Sequence, residues 1–137
     1  MIFSLLGIIS CHPTKNMAKN ESEISKKAND TIRISNDSLE YEVIIIDVGF
    51  TSWMAGRSKP RGFYSETYLE NRNRIYVPEW NSRVLQPDKY DPKLYEMQID
   101  YDINIHYGYE VNYLLYNYFV YFQEKYKQNL AGFTARP

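Results

Sequence analysis

Few side chains in this 137-residue chain offer themselves for chemistry: one cysteine, Cys11, two histidines, His12 and His106, and 17 acidic residues. Asp100, Asp102 and Asn104 have the D-x-D-x-N spacing that opens a calcium loop, in which alternate oxygens converge on one hard cation. The remainder of such a loop is missing, with Ile105 where the turn needs glycine and Val111 where a bidentate glutamate belongs. Gly56-Arg57-Ser58-Lys59-Pro60 starts like a nucleophile elbow and ends in proline, and only His106 lies in the domain to serve as a base. Asp47, Glu79, Asp100, Asp102 and Glu110 could pair for acid–base work, but 17 acids in 137 residues make some pairing inevitable. No catalytic residue, metal ligand or cofactor is therefore assigned, and a carboxylate-dependent enzyme stands as the second alternative.

A binding surface is easier to draw. Between residues 57 and 83, Arg57, Lys59, Arg61, Arg72, Arg74 and Arg83 face only Glu66, Glu70 and Glu79, interleaved with Tyr64, Tyr68, Tyr76 and Trp80. Guanidinium groups beside aromatic rings suit an anionic glycan, a lipid phosphate or an acidic strip on a protein. Arg57, Arg61, Tyr64, Tyr68, Arg74 and Trp80 are the candidate binding residues of a glycan or small-ligand module, the first alternative. Ordinary helix-surface ion pairing, at ~0.2–0.5 kcal/mol per pair, accounts for the same charges more simply.

Cys11 carries the most specific signal. It follows the apolar run Leu5-Leu6-Gly7-Ile8-Ile9-Ser10, too short to span a bilayer as a helix and matched to the apolar region of an export signal. The run ending in Ile8-Ile9-Ser10-Cys11 is similar to the lipobox of bacterial lipoproteins, where the peptide is cut before the cysteine and the sulfur is acylated. No Lys or Arg precedes the run, as a start codon lying further upstream would explain. Residues 1–10 are thus expected to be a cleaved signal, and residues 11–30 a lipidated cysteine with a flexible polar tether of roughly 20–25 Å reach. A single domain should occupy 31–131. A lone cysteine leaves no intramolecular disulfide, so packing must hold the domain, and 14 Tyr, 6 Phe and 2 Trp supply its bulk.

The expected fold class is α+β: a small, mainly antiparallel sheet covered by a layer of helices that includes a long C-terminal helix. Residues 31–35 alternate, Asn36-Asp37-Ser38 is turn chemistry, and the continuous run Val43-Ile44-Ile45-Ile46 predicts a second hairpin strand buried on both faces. A short helix from 50 to 57 should turn Trp53 and Met54 inward. Ser65 caps a helical pattern running to about 86, with a kink or break predicted at Val77-Pro78. The period-two pattern of Tyr95, Met97, Ile99 and Tyr101 predicts a further strand over 94–101, although Asp-Tyr-Asp-Ile-Asn beyond Asp100 reads equally as a turn. Helical spacing of Val111, Leu115, Tyr118 and Phe122 predicts a helix over about 108–129, packed on the Val43–Ile46 strand.

Four segments carry a family resemblance: Tyr41-Glu42-Val43-Ile44-Ile45-Ile46-Asp47, Tyr76-Val77-Pro78-Glu79-Trp80-Asn81, Leu94-Tyr95-Glu96-Met97 and the stretch from Tyr109 to Tyr118. Together they resemble an uncharacterised family of small Gram-negative lipoproteins, domain of unknown function 6146. The resemblance implies an envelope lipoprotein and no activity. The expectation is a non-enzymatic structural or protein-interaction domain, held to the membrane through Cys11, at the outer membrane facing the periplasm, with an envelope protein or glycan as partner. With a net charge of −1, no global field draws it to nucleic acid.

Overall fold

The computed structural model describes residues 31–137. Cys11, the expected signal segment 1–10 and the tether 11–30 lie outside the described residues. The chain begins with an antiparallel hairpin, β1 (Thr31–Asn36) and β2 (Tyr41–Ile46), paired from Thr31↔Ile46 to Asn36↔Tyr41. The turn is closed by Asn36, whose Oδ1 accepts from Ser38 Oγ at 2.6 Å and from the Leu39 amide at 3.3 Å, and Glu40 reverses the chain in the left-handed region. Three helices follow: α1 (Phe50–Arg57), α2 (Glu66–Val84) and α3 (Tyr109–Tyr126). The architecture is α+β, and no helix among the described residues is long and apolar enough to cross a membrane.

α3 is the axis of the molecule. From Val111 to Gln123 nearly every residue is buried, the pattern of a helix enclosed on all sides rather than laid on a surface. α2 and α1 pack on it, and β1 crosses it. Of the hairpin it is therefore β1 that α3 lies against, where packing on β2 is predicted. Ile32, Ile34, Val43 and Ile45 face the core, while Ile44 and Ile46 face outward, Ile46 remaining 75 % exposed. The apolar run of β2 is thus buried on one face only, because a two-stranded ribbon has a single helix-covered side.

Pro78 does not break α2, which runs unbroken through it. Its ring faces solvent, so the donor it lacks falls on the outer side of the helix, where water can solvate the freed carbonyl. Gly49 caps α1 at φ 100°, a conformation that favours glycine, and a Cβ there would stand 3.3 Å from the Tyr121 hydroxyl. Phe50 is the buried residue of α1, with Trp53 and Met54 half-buried beside it.

Residues 94–101 form no strand. Tyr95 and Tyr101 are buried and Met97 is exposed, but α2 side chains occupy the place of a strand partner. Asn81 accepts from the Ile99 amide at 2.7 Å and donates to its carbonyl at 2.8 Å, and Trp80 Nε1 donates to the Met97 carbonyl at 2.9 Å. The alternation of the sequence is not kept in burial: the segment starts in a turn, with the Leu94 and Tyr95 amides donating to the Asp91 carbonyl, and Met97 is exposed between buried Tyr95 and Tyr101.

The last residues also belong to the folded unit. Leu130 is buried and its amide donates to Gln123 Oε1, and residues 131–137 run back over α2 and α3. Arg83 ties three parts together, donating to Glu79, to the Tyr95 hydroxyl at 2.8 Å and to the Asn129 carbonyl at 2.6 Å.

Candidate functional site

The candidate binding residues are distributed over the helical layer and mostly engaged. Arg57, at the end of α1, reaches Glu124 of α3 at 3.0 Å, and the other oxygen of that carboxylate accepts from Trp53 Nε1 at 2.8 Å. Arg61, in the loop before α2, holds Glu110 through two nitrogens and lies 4.6 Å over the Tyr113 ring. This hydrogen-bonded pairing raises the Arg61 pKa and holds the Glu110 carboxyl below its ordinary range. Arg74 pairs with Glu70 one turn earlier on α2. Trp80 is 5 % exposed and packs edge-on against Tyr95 and Phe122. It belongs to the core and is withdrawn from any open surface.

Tyr64 and Tyr68 are brought together. Their rings stack at 4.6 Å and 12°, both half-buried, with Tyr116 of α3 edge-on to each. Arg72, absent from the candidate set, lies 5.1 Å over Tyr68 and 4.4 Å over Phe133. Tyr68, Arg72 and Tyr76 recur every fourth residue along the first half of α2, and Tyr64, just ahead of the Ser65 cap, continues the stripe by stacking on Tyr68. That spacing was present in the sequence as the signal for a continuous aromatic surface.

The acidic and histidine candidates separate. Asp102 Oδ1 accepts from the Asn104 amide and side chain, a local turn in place of a cation loop. Among the described residues no three His, Cys, Asp or Glu groups are arranged to hold a metal ion. His106 projects from the loop before α3 and meets the buried Glu70 carboxylate at 2.9 Å. Ser58 meets no histidine among the described residues: its hydroxyl donates to the Met54 carbonyl.

Asp47 is the centre of the densest polar cluster, joining the hairpin to the end of α3. Its Oδ1 accepts from Lys125 Nζ at 2.7 Å and lies 2.9 Å from the Tyr121 hydroxyl, and Oδ2 accepts from Tyr126 at 3.1 Å. Desolvation works against the Lys125 charge, but hydrogen bonds to Asp47, Tyr121 and Tyr126 prevail and hold its pKa above the ordinary lysine value. A lysine so held stays protonated, a cation that ties elements together rather than a nucleophile. The i, i+4 spacing of Tyr121 and Lys125 shows in the sequence, whereas the arrival of Asp47 from 78 residues away does not.

Tyrosine hydroxyls do similar work elsewhere. Tyr113 donates to the Lys59 carbonyl at 2.6 Å, Tyr101 to Asn112 Oδ1 at 2.7 Å, and Tyr109 accepts from the Gly62 amide at 2.6 Å. Burial pushes the pKa values of Tyr76, Tyr95, Tyr101, Tyr116 and Tyr121 up from the ordinary tyrosine value. The chain's tyrosines thus act as protonated cross-ties between elements. Nothing among curated proteins or solved structures matches the chain. The family described as Family of unknown function (DUF6146) matches residues 1–136, the same family that the four sequence segments resemble, and the chain belongs to it.

Proposed function

We propose that this protein is a lipid-anchored component of the cell envelope whose domain docks another envelope component and carries out no reaction of its own. One observation carries the reading: the side chains equipped for chemistry are tied to one another across elements. Arg57 is held by Glu124, Arg61 by Glu110, Arg74 by Glu70 and Lys125 by Asp47. Such a network fixes the shape of a surface. A depression of about 730 Å³ bordered by Pro78, Glu79, Arg83 and Leu130 is wide and open, a form suited to a macromolecular partner more than to an enclosed small substrate.

The anchor at Cys11 supports the location, at the outer membrane facing the periplasm. Intact mass spectrometry of the membrane-extracted protein beside Cys11→Ala tests it: the expected result is loss of residues 1–10 with a gain of acyl mass that the variant lacks. An unprocessed mass in the membrane fraction would refute the anchor. Cross-linking in intact cells tests the docking role, and recovery of this chain alone at every cross-linker length would count against it.

A further inference from the structure

We propose that the tyrosine stripe of α2 and the facing Tyr116 of α3 form a docking groove for an extended protein segment, one with an aromatic side chain followed at alternate positions by a small residue and a proline. Residues 131–137 of the chain itself fill the groove in this structure. This deepens the interaction reading above and rests on it.

The chain's own segment shows what the groove accepts. Ala131, Phe133, Ala135 and Pro137 are half-buried while Gly132, Thr134 and Arg136 are exposed, the period-two alternation of an extended segment lying with one face down. It belongs to no sheet. Its backbone is read by two tyrosine hydroxyls, Tyr116 donating to the Arg136 carbonyl at 2.9 Å and Tyr64 to the Pro137 carbonyl at 3.0 Å. Phe133 lies 6.1 Å from the Tyr76 ring, with the Arg72 guanidinium 4.4 Å over it. Recognition therefore has one aromatic slot and two carbonyl readers, and neither reader selects a particular side chain.

Two features make this segment exchangeable with a partner's. None of residues 131–137 is buried, in contrast to Leu130 immediately before them. Departure of the segment thus leaves the anchor at Leu130 in place. Gly132, at φ 72° with no atom near its Cβ position, supplies a swivel between the anchored and the surface portions. Tyr116 marks the point of exchange: it is 3 % exposed with the segment seated, and departure of the segment uncovers a hydroxyl donor at the place where the Arg136 carbonyl lay. An incoming extended backbone provides an acceptor there.

The probe is a fluorescein-labelled peptide with the sequence Ala-Gly-Phe-Thr-Ala-Arg-Pro, titrated by anisotropy into the full chain carrying Cys11→Ala. A segment tethered in cis competes at an effective concentration in the millimolar range. Adding Phe133→Ala to the chain, which loosens its own segment, should therefore tighten peptide binding at least tenfold. In that background Tyr116→Phe should weaken it about tenfold, and a peptide with alanine in place of its phenylalanine should not bind. Equal binding to the loosened and unloosened chains, or none to the loosened one, overturns the proposal. If Phe133→Ala does not fold, Ala135→Glu loosens the same segment and is judged by the same two outcomes. Displacement of the peptide by an oligosaccharide but not by unlabelled peptide would overturn the choice of a protein occupant. Capture of an envelope partner by a chain that binds no peptide would move the docking site to another face and leave the interaction reading standing, whereas failure of both would end both.

Discussion

At the scale of single residues, Ile45 and Ile46 show how one position along a strand decides the outcome. They are chemically identical neighbours, but Ile45 is 7 % exposed within the core and Ile46 is 75 % exposed on the outer face. Ile45→Asp places an unpaired carboxylate in the buried core, across the hairpin from Ile32, a cost of about 3 kcal/mol or more. Its expected result is a chain without a cooperative thermal transition. Ile46→Asp should melt within about 0.5 kcal/mol of wild type, and similar melting of the two variants would refute the register of the hairpin. The Arg61–Glu110 pair makes a smaller claim, both side chains being about half exposed. The Glu110 pKa is depressed in the folded state, so its stabilisation is present above the unfolded carboxyl value and is lost as pH falls through the folded one. With solvent screening this amounts to less than about 1 kcal/mol. Glu110→Gln should lower stability near pH 7 by less than about 1 kcal/mol and remove that part of the acid-side slope below about pH 4.3, so that the two chains converge at low pH. An unaltered slope in denaturant melts from pH 3 to 7 would contradict the assignment.

At the scale of elements, the hairpin and α1, α2 and α3 were legible in the sequence because each has a local cause: turn chemistry at Asn36, the Ser65 cap, and the helical spacing from Val111 to Phe122. What was not legible depends on residues distant along the chain. Residues 94–101 have the alternation of a strand, but whether an extended segment joins a sheet depends on what lies beside it, here Trp80 and Asn81 of α2. The same holds for the candidate site: Tyr64, just ahead of the Ser65 cap, stacks on Tyr68 in the first turn of α2, whereas Trp80, further along the same basic stretch, turned into the core. Asn81→Leu tests the substitution of a side chain for a strand. It leaves the amide and carbonyl of Ile99 without their partners, a loss of about 1–3 kcal/mol, with faster hydrogen exchange confined at first to residues around Ile99. Unchanged protection of the Ile99 amide would refute the role given to Asn81.

At the scale of the whole molecule, tyrosines share the buried core with aliphatic residues and tie elements together through their hydroxyls, and this predicts how the protein fails. Tyr76, Tyr95, Tyr101, Tyr116 and Tyr121 are buried in the core and come from α2, the 94–101 segment and α3. Burial, the largest cause in each case, raises their pKa values above the ordinary tyrosine value of 10.0. The sign follows from linkage. Above about pH 10 the unfolded chain releases these protons while the folded chain retains them, so the unfolded state binds fewer protons and stability falls as pH rises. Below that pH their contribution is fully present. Each ring ionised only in the unfolded state removes about 1.4 kcal/mol per pH unit, and several such rings act together. A domain with ordinary stability of about 5–15 kcal/mol is then expected to unfold in one cooperative step one to two pH units above 10. Absorbance at 295 nm and far-ultraviolet circular dichroism, followed together from pH 8 to 13, provide the measurement. The expected record is a tyrosinate signal that rises with an ordinary component and then with a steep one coincident with the loss of helix. If every tyrosine titrated near pH 10 with the helical signal intact, the hydroxyls would be reaching solvent in the folded state, and their role as buried cross-ties would be lost.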